Sequence, residues 1–418
     1  MKDGNCGPGR RIILIIFVLT CALSCASPAR ATDRYVLGMS AAFTGPSGGL
    51  GIELYRGSMA YFIPLNADGG IGGRTVEIVT MDDGYQPDPV VENTIEFLNA
   101  EDIRCLFNYV GTPTVTRILP LLNGYKGGRK LLFFPFTGAE PQRQPPYKPF
   151  VFNLRASYLQ ELAGLVERFV SLNRSRMAVF YQADAYGRGG WEGARRALEA
   201  KGSKLACEAT YRRGARFEDS MARQVEILKQ AEPDVILSVG SYAACAAFIR
   251  DARDLGLDVP IANVSFVGSE HLLALLEGAG REQGRDYTRD LINTQVVPSY
   301  EDLSLPAVRE YRERMDSIRP APPDMADPGY RPLPYSFTGF EGYLNAKVMA
   351  HILEIYGKNP GMGLGRAAES VKDLDIGIDA PVNLNPSRHQ GLDRVYFTTV
   401  RGGKFVPIDE EHWRSWQK

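Results

Sequence analysis

The chain has 418 residues, of which 44% are hydrophobic and 23% charged, with a formal net charge of −1. That length exceeds one ordinary domain and suits two, and the near-neutral balance carries no footprint of nucleic-acid binding. The four histidines lie far apart, and no HExxH, GxxxxGK[ST] or CxxC occurs, so the common metalloprotease, nucleotide-loop and dithiol signatures are absent.

Residues 1–31 read as an export signal outside the fold. Arg10 and Arg11 give a positive start, Ile12 to Leu23 an apolar core of 12 residues, and Ala29-Arg30-Ala31 a small-x-small cleavage site. A membrane span needs roughly 20 apolar residues, so a cleaved secretory signal is favoured over an anchor. Lipidation at Cys25 is the alternative, although Ala22-Leu23-Ser24 makes an imperfect lipobox. Cleavage leaves 387 residues with 44 basic and 48 acidic side chains, a net −4. Three cysteines remain, Cys105, Cys207 and Cys245, so at least one thiol is free; a Cys207–Cys245 bridge stays open.

The most informative stretch runs from Leu37 to Pro87. Val36, Leu37 and Met39 make a short strand, broken by Gly45-Pro46-Ser47-Gly48-Gly49. Tyr55, Met59, Phe62 and Ile63 recur at helical spacing, and Asn66-Ala67-Asp68-Gly69-Gly70 ends that helix. Val76 to Met81 is a second strand, stopped by Asp82-Asp83-Gly84. The unit is an open α/β element with a small-residue mouth above its first strand, where ligands commonly sit. Gly69-Gly70-Ile71-Gly72-Gly73 lies between helix and strand, the reverse of the order a phosphate cradle needs, and reads as a turn.

Strands and helices then alternate, which predicts an α/β fold with mainly parallel sheets. Strands are expected near 35–40, 75–81, 104–108 and 131–135, with helices near 52–66, 87–100 and 113–123. Phe150 to Arg155 reads as a crossover strand. A second set of strands is expected at 177–181, 204–210, 235–239, 260–264 and 293–297, with helices near 157–172, 189–201, 217–231, 242–256 and 270–278. One doubly wound motif is thus repeated twice. Two proline-rich stretches, Glu140–Pro149 and Pro320–Pro334 with its six prolines, read as surface loops.

The TGP turn, the NADGGIGGR hairpin and the strand ending in Asp82-Asp83 resemble the periplasmic solute-binding proteins that serve ABC importers for leucine, isoleucine and valine. The similarity covers nearly the whole mature chain. It implies a type I periplasmic binding fold: two doubly wound α/β lobes joined by a three-strand hinge, with crossings near 152–156, 295–299 and 376–381. Lobe I would comprise 32–152 plus 299–376, and lobe II 156–295 plus 381–418. The terminal segment Arg394–Lys404 resembles the family's last hairpin. The resemblance further implies a monomeric, non-enzymatic periplasmic receptor without cofactor or metal, whose partners are a small-molecule ligand and an inner-membrane ABC permease.

Candidate ligand contacts follow the strand ends. Asn108-Tyr109-Val110-Gly111-Thr112-Pro113 opens a helix at which Thr112 could cap the chain or offer its hydroxyl and amide to an anion. The next mouth is Phe134-Pro135-Phe136-Thr137-Gly138-Ala139. In the resembled family these two places hold a ligand carboxylate. Thr112 matches the first, whereas Thr137 stands one residue before the family threonine and Gly138 takes its position. Phe136, Thr137, Gly138 and Ala139 are therefore all candidates. Tyr186, before Gly187, matches a family ligand wall, against ordinary turn packing. Tyr242 matches a cleft-facing tyrosine, with Ser241 open if the alignment slips. Glu270, after Phe266-Val267-Gly268-Ser269, matches the glutamate that accepts a ligand ammonium; the alternative is a first-turn glutamate stabilised by its own helix. Leu50 replaces the family aromatic that closes over the side chain, and Phe43, Phe136 and Tyr335-Ser336-Phe337 are the residues able to reshape that pocket. The histidines read as solvated or capping.

The function expected is capture of an amino-acid-like solute, such as a branched-chain amino acid, for import. A sensory receptor of the same fold for an amide, urea or small carboxylate, signalling to a membrane sensor or regulator, is the second reading. An exported hydrolase would need a nucleophile–base pair that the sequence does not offer.

Overall fold

The computed structural model describes residues 34–125, 130–359 and 361–418, together with Met1 and Gly4. The export signal, its cleavage site and Cys25 lie outside the described residues. In chain order the elements are β1 (Tyr35–Ala41), α1 (Gly48–Ala67), β2 (Val76–Asp82), α2 (Pro87–Asn99), β3 (Ile103–Phe107), α3 (Thr112–Gly124), β4 (Leu132–Phe133) and β5 (Val151–Phe152). There follow α4 (Tyr158–Ser171), β6 (Met177–Gln182), α5 (Ala185–Ala200), β7 (Cys207–Tyr211), α6 (Ala222–Lys229), β8 (Val235–Val239), α7 (Tyr242–Asp254), β9 (Ile261–Asn263), α8 (Ser269–Gln283) and β10 (Leu291–Gln295). The chain ends with α9 (Pro306–Ile318), α10 (Phe337–Lys358), α11 (Leu364–Glu369), β11 (Tyr396–Arg401), β12 (Lys404–Pro407) and α12 (Glu410–Ser415).

Two sheets result. The first has strand order β2-β1-β3-β4-β5 and is wholly parallel. The second has order β12-β11-β10-β9-β8-β6-β7; its five central and far strands are parallel, and the terminal hairpin β11–β12 adds antiparallel beside β10. All residues of β1, β6 and β8 are buried, as expected for parallel strands covered by helices on both faces. The expected α/β class and doubly wound pattern are therefore present.

Local chemistry accounts for the element ends. Ser157 and Gln160 form a reciprocal capping box that starts α4. Asp184 accepts the Tyr186 amide and starts α5 at Ala185, four residues before the expected start near 189. α1 also begins earlier than the glycine-rich turn implies: Gly48 to Gly51 are helical and buried, so tertiary packing overrides the weak helix preference of glycine. β4 is only two residues long, and β10 starts at Leu291 rather than 293. Residues 299–394, to which the sequence pattern assigns no helix, contain α9, α10 and α11. α10 packs along α1 on the first sheet, and the Ser58 hydroxyl donates to the Gly342 carbonyl at 3.0 Å across that contact. α12 returns to the second sheet's helices, where Trp413 and Trp416 meet Phe169. Cys105, Cys207 and Cys245 are all free thiols, so the open Cys207–Cys245 bridge is not formed.

Candidate functional site

The C-terminal ends of the two sheets face each other, the place where open α/β sheets present ligand-binding loops. On the first-sheet side, the turns after β3 and β4 are tied together: the Phe136 amide donates to the Tyr109 carbonyl at 2.7 Å and the Gly111 amide to the Phe136 carbonyl at 3.1 Å. Gly111 has φ of 103°, a conformation that excludes most side chains, and it is Gly111 that stands at the N-cap of α3. Thr112 is thus the first helical residue and makes no side-chain cap, correcting the capping alternative. Its hydroxyl instead pairs with the Thr137 hydroxyl at 2.6 Å, and the Ala139 amide donates to Thr137 Oγ1 at 3.2 Å. Gly138 passes close under α4: its carbonyl accepts the Tyr158 amide at 2.8 Å, and a Cβ there would lie 2.6 Å from the Tyr158 ring. Tyr158 is 1% exposed, its hydroxyl stands beside Thr112 and Thr137, and that oxygen has no partner at hydrogen-bonding geometry.

The second-sheet side contributes rings. Tyr186, held by Asp184 at the start of α5, donates its hydroxyl to the Gly240 carbonyl at 3.3 Å. Its ring lies 5.2 Å from that of Tyr158 and 4.8 Å from that of Phe266, in the turn after β9. Phe266 in turn meets Phe136 at 5.3 Å and Tyr85 at 5.8 Å, both from the first sheet. Tyr85 has φ of 62°, a costly conformation for an aromatic residue, fixed by its amide donating to Asp83 at 2.8 Å. Its hydroxyl accepts Gln182 Nε2 at 3.2 Å from the second sheet. Thr112, Phe136, Thr137, Gly138, Ala139 and Tyr186 are therefore neighbours in one cluster. Tyr85, Tyr158 and Phe266 belong to it equally, and sequence reasoning missed them.

Tyr242 and Glu270 stand apart from this cluster. No hydrogen bond or ring contact among the described residues joins either to the Thr112–Thr137 pair. The Tyr242 hydroxyl accepts the Gly49 amide at 3.2 Å, and its ring stacks on His271 at 4.8 Å. His271 Nε2 meets the Tyr330 hydroxyl at 2.9 Å, and that hydroxyl donates to Glu53 at 2.7 Å; Glu53 also holds Arg56. His271 is thus neither solvated nor a cap, and burial pushes its pKa down to about 4. The buried His389, stacked 4.0 Å from Phe152, departs from the solvated reading too. The loop 320–334 does not merely run over the surface, since its Tyr330 reaches across to α8. Glu270, in the first turn of α8, accepts the Phe337 amide at 3.2 Å through Oε1. Burial pushes its pKa up to about 7, the Tyr300 hydroxyl stands beside the carboxylate, and Oε2 is sheltered without a partner at hydrogen-bonding geometry. Leu50 approaches Gly268 at the same junction.

Beneath the rings lies a buried charge cluster that sequence reasoning also missed. Arg155, on the crossover after β5, is 2% exposed and sits over the Phe136 ring at 4.6 Å. It lies 3.6 Å from Glu341 of α10 and 3.9 Å from Glu161 of α4, and donates to the Ser265 hydroxyl. Its charge is matched within the protein. A separate groove of about 570 Å³ between α1 and α10 lies beside Tyr35 and Arg74, at the opposite end of β1, away from every candidate residue. Among the described residues no group of His, Cys, Asp and Glu could hold a metal ion, and no helix is long and apolar enough to cross a membrane.

The periplasmic binding protein family model matches residues 35–404. The chain is similar to the leucine-, isoleucine-, valine-, threonine- and alanine-binding protein of Pseudomonas aeruginosa, with 21% identity over 66% of this chain and 73% of that one. A crystal structure from Rhodopirellula baltica, described as a possible leucine/isoleucine/valine-binding protein, superposes with a TM-score of 0.80 at 29% identity, covering 94% of this chain and 100% of that one. A fatty acid ABC transporter substrate-binding protein from Thermomonospora curvata shares the fold, with a TM-score of 0.73 at 20% identity over 92% of this chain and 94% of that one. Facing doubly wound sheets, strand-end turns that meet between them and a match spanning nearly every described residue lead to one assignment: the chain belongs to the periplasmic binding protein family, a family of non-enzymatic receptors.

Proposed function

We propose that this protein is the extracytoplasmic receptor of an ABC importer, closing two lobes over a small amino-acid-like solute and delivering it to a membrane permease. The lobes are 32–152 plus 299–376 and 156–295 plus 381–418, and residues 1–31 direct the chain to the periplasm and are then removed. One observation carries the reading: the Thr112–Thr137 hydroxyl pair at the N-terminus of α3, with the unpaired Tyr158 hydroxyl beside it, faces the aromatic turns of the other sheet. Hydroxyls at a helix N-terminus favour a carboxylate. Glu270, beside the Tyr300 hydroxyl and with Oε2 at hydrogen-bonding geometry to no group, is the acceptor available for an ammonium.

Closure removes the solute from water, which strengthens each charged hydrogen bond, and a hinge permits release. A thermal-shift screen of the mature protein against amino acids, amides, urea and small carboxylates tests the reading. A ligand that binds only the native state raises the melting temperature, and α-amino acids are expected to do so. A shift confined to amides or urea would overturn the amino-acid assignment while leaving a receptor.

A further inference from the structure

We infer that the solute held between the sheets is a carboxylate bearing a planar aromatic ring, an inference that rests on the receptor reading above and narrows its ligand class. Five rings from five separate segments converge at the strand ends. Tyr85 and Phe136 extend from the first sheet; Tyr158, Tyr186 and Phe266 belong to the second-sheet side. Phe266 is central, tilted by 34° to Tyr85, 37° to Phe136 and 56° to Tyr186. Rings in such offset and tilted contacts attract beyond the area they bury, because the edge of one meets the electron-rich face of another.

The contacts of Phe266 with Tyr85 and Phe136 cross from one sheet to the other. Opening the cleft therefore exposes aromatic surface on both sides at once. A flat ring entering between them restores ring contacts with both sets as the cleft closes, whereas a branched aliphatic chain restores only apolar contact. Tyr158 links this wall to the polar end of the site. Its ring touches Tyr186, while its hydroxyl, nine-tenths or more buried, lies beside Thr112 and Thr137 without a partner at hydrogen-bonding geometry. A solute spanning the two regions has a carboxylate at the three hydroxyls and its ring against Phe266.

Matched pairs differing only in ring saturation test this. Calorimetry on the mature protein would compare phenylalanine with cyclohexylalanine, and 3-phenylpropionate with 3-cyclohexylpropionate, using leucine as the aliphatic reference. The expected result is at least 10-fold tighter binding of the aromatic member of the better-bound pair, with leucine weaker than both. Phe266→Leu and Phe136→Leu, each checked for a native circular dichroism spectrum, should bring that ratio close to one. Equal or tighter binding of the saturated members, tightest binding of leucine, or a ratio unchanged in both variants overturns the aromatic assignment and leaves the receptor intact. If no member of the panel and no α-amino acid binds at all, the receptor reading fails and the inference fails with it.

Discussion

Glu270 and Phe337 meet between the two sheets: Oε1 of the glutamate accepts the amide that opens α10, at 3.2 Å. The carboxylate thus lies at two helix N-termini, that of its own α8 and that of α10, which packs on the first sheet's α1. Both helix ends favour negative charge there, while burial opposes it and holds the pKa near 7. One oxygen closes the structure; the other is at hydrogen-bonding geometry to no group, with the Tyr300 hydroxyl beside the carboxylate. This division of labour makes Glu270 testable in a way that a single contact would not be.

Glu270→Ala removes both oxygens, whereas Glu270→Gln keeps an amide oxygen for Phe337 and loses the charge. If Oε2 receives a ligand ammonium, both variants lose affinity for amino acids, Ala by roughly 30-fold or more, since truncating one partner of a buried charge pair costs about 2–5 kcal/mol. For the matching acid without an ammonium, Gln should bind as wild type and Ala only a few-fold more weakly. Calorimetry with one amino acid and its des-amino analogue reads the difference. Equal losses for both ligands would reduce Glu270 to a contact between the lobes.

Several further hydrogen bonds join the sheets at their C-terminal ends: Tyr242 with Gly49, Tyr85 with Gln182, and Tyr330 with His271. On the proposed closure mechanism, each breaks when the cleft opens. Small-angle scattering should therefore report a smaller radius of gyration at saturating ligand than without it. Tyr242→Phe, which loses the hydroxyl but keeps the ring on His271, should enlarge the ligand-free radius or leave it unchanged, never shrink it. An unchanged radius on saturation of the wild type with a tight ligand would end the closure mechanism.

Much of this architecture is legible in the sequence because parallel strands leave compact apolar runs. Val235–Val239 was expected as a strand and is β8, and the Val395-Tyr396-Phe397 segment forms the last hairpin. α10 was not legible, since most of Phe337 to Leu353 is buried and no polar stripe marks a helical period. At the site, the strand-end turns identified Thr112, Thr137 and Tyr186 as neighbours. The ring cluster escaped because Tyr85, Tyr158 and Phe266 come from distant segments, and pairing of that kind is a tertiary fact. Thr112 looked like a cap by residue type, but the left-handed Gly111 occupies that position.

The acid–base properties give a signed pH dependence. Burial pushes Asp83, Glu270 and Glu341 up to about 7. A carboxyl raised on folding contributes most below its unfolded pKa of about 4, and that contribution is lost as pH rises through 7. His271, lowered to about 4, acts oppositely: its contribution is complete above about 6.5 and lost as pH falls toward 4. Burial also raises Glu53 and lowers His412, so four groups stand against two, and urea unfolding should show stability declining from about pH 5.5 to pH 8. Glu270→Gln should flatten part of that decline. A stability that rises across this window would contradict the burial of these carboxyls.

The hinge offers the most direct stability test. Arg155 joins Glu161 of α4, Glu341 of α10 and Ser265 beside the central Phe266, so one guanidinium ties the crossover to both sheets. Glu161 is further held by the Ser265 amide at 2.8 Å and by the Thr294 hydroxyl. Arg155→Met keeps apolar volume over Phe136 but leaves two buried carboxylates without their cation. Breaking a buried pair in this way costs about 3–5 kcal/mol. Adding Glu341→Leu removes one of those orphaned carboxylates, so Arg155→Met/Glu341→Leu should recover part of the loss, a sign that separates charge from packing. Arg155→Lys should fall between wild type and Met, because an ammonium cannot reach Glu161, Glu341 and Ser265 together as the planar fork does. Urea midpoints of the three variants decide the matter. If the double variant is no more stable than Arg155→Met, the contribution of Arg155 lies in its contact with Phe136 rather than in its charge.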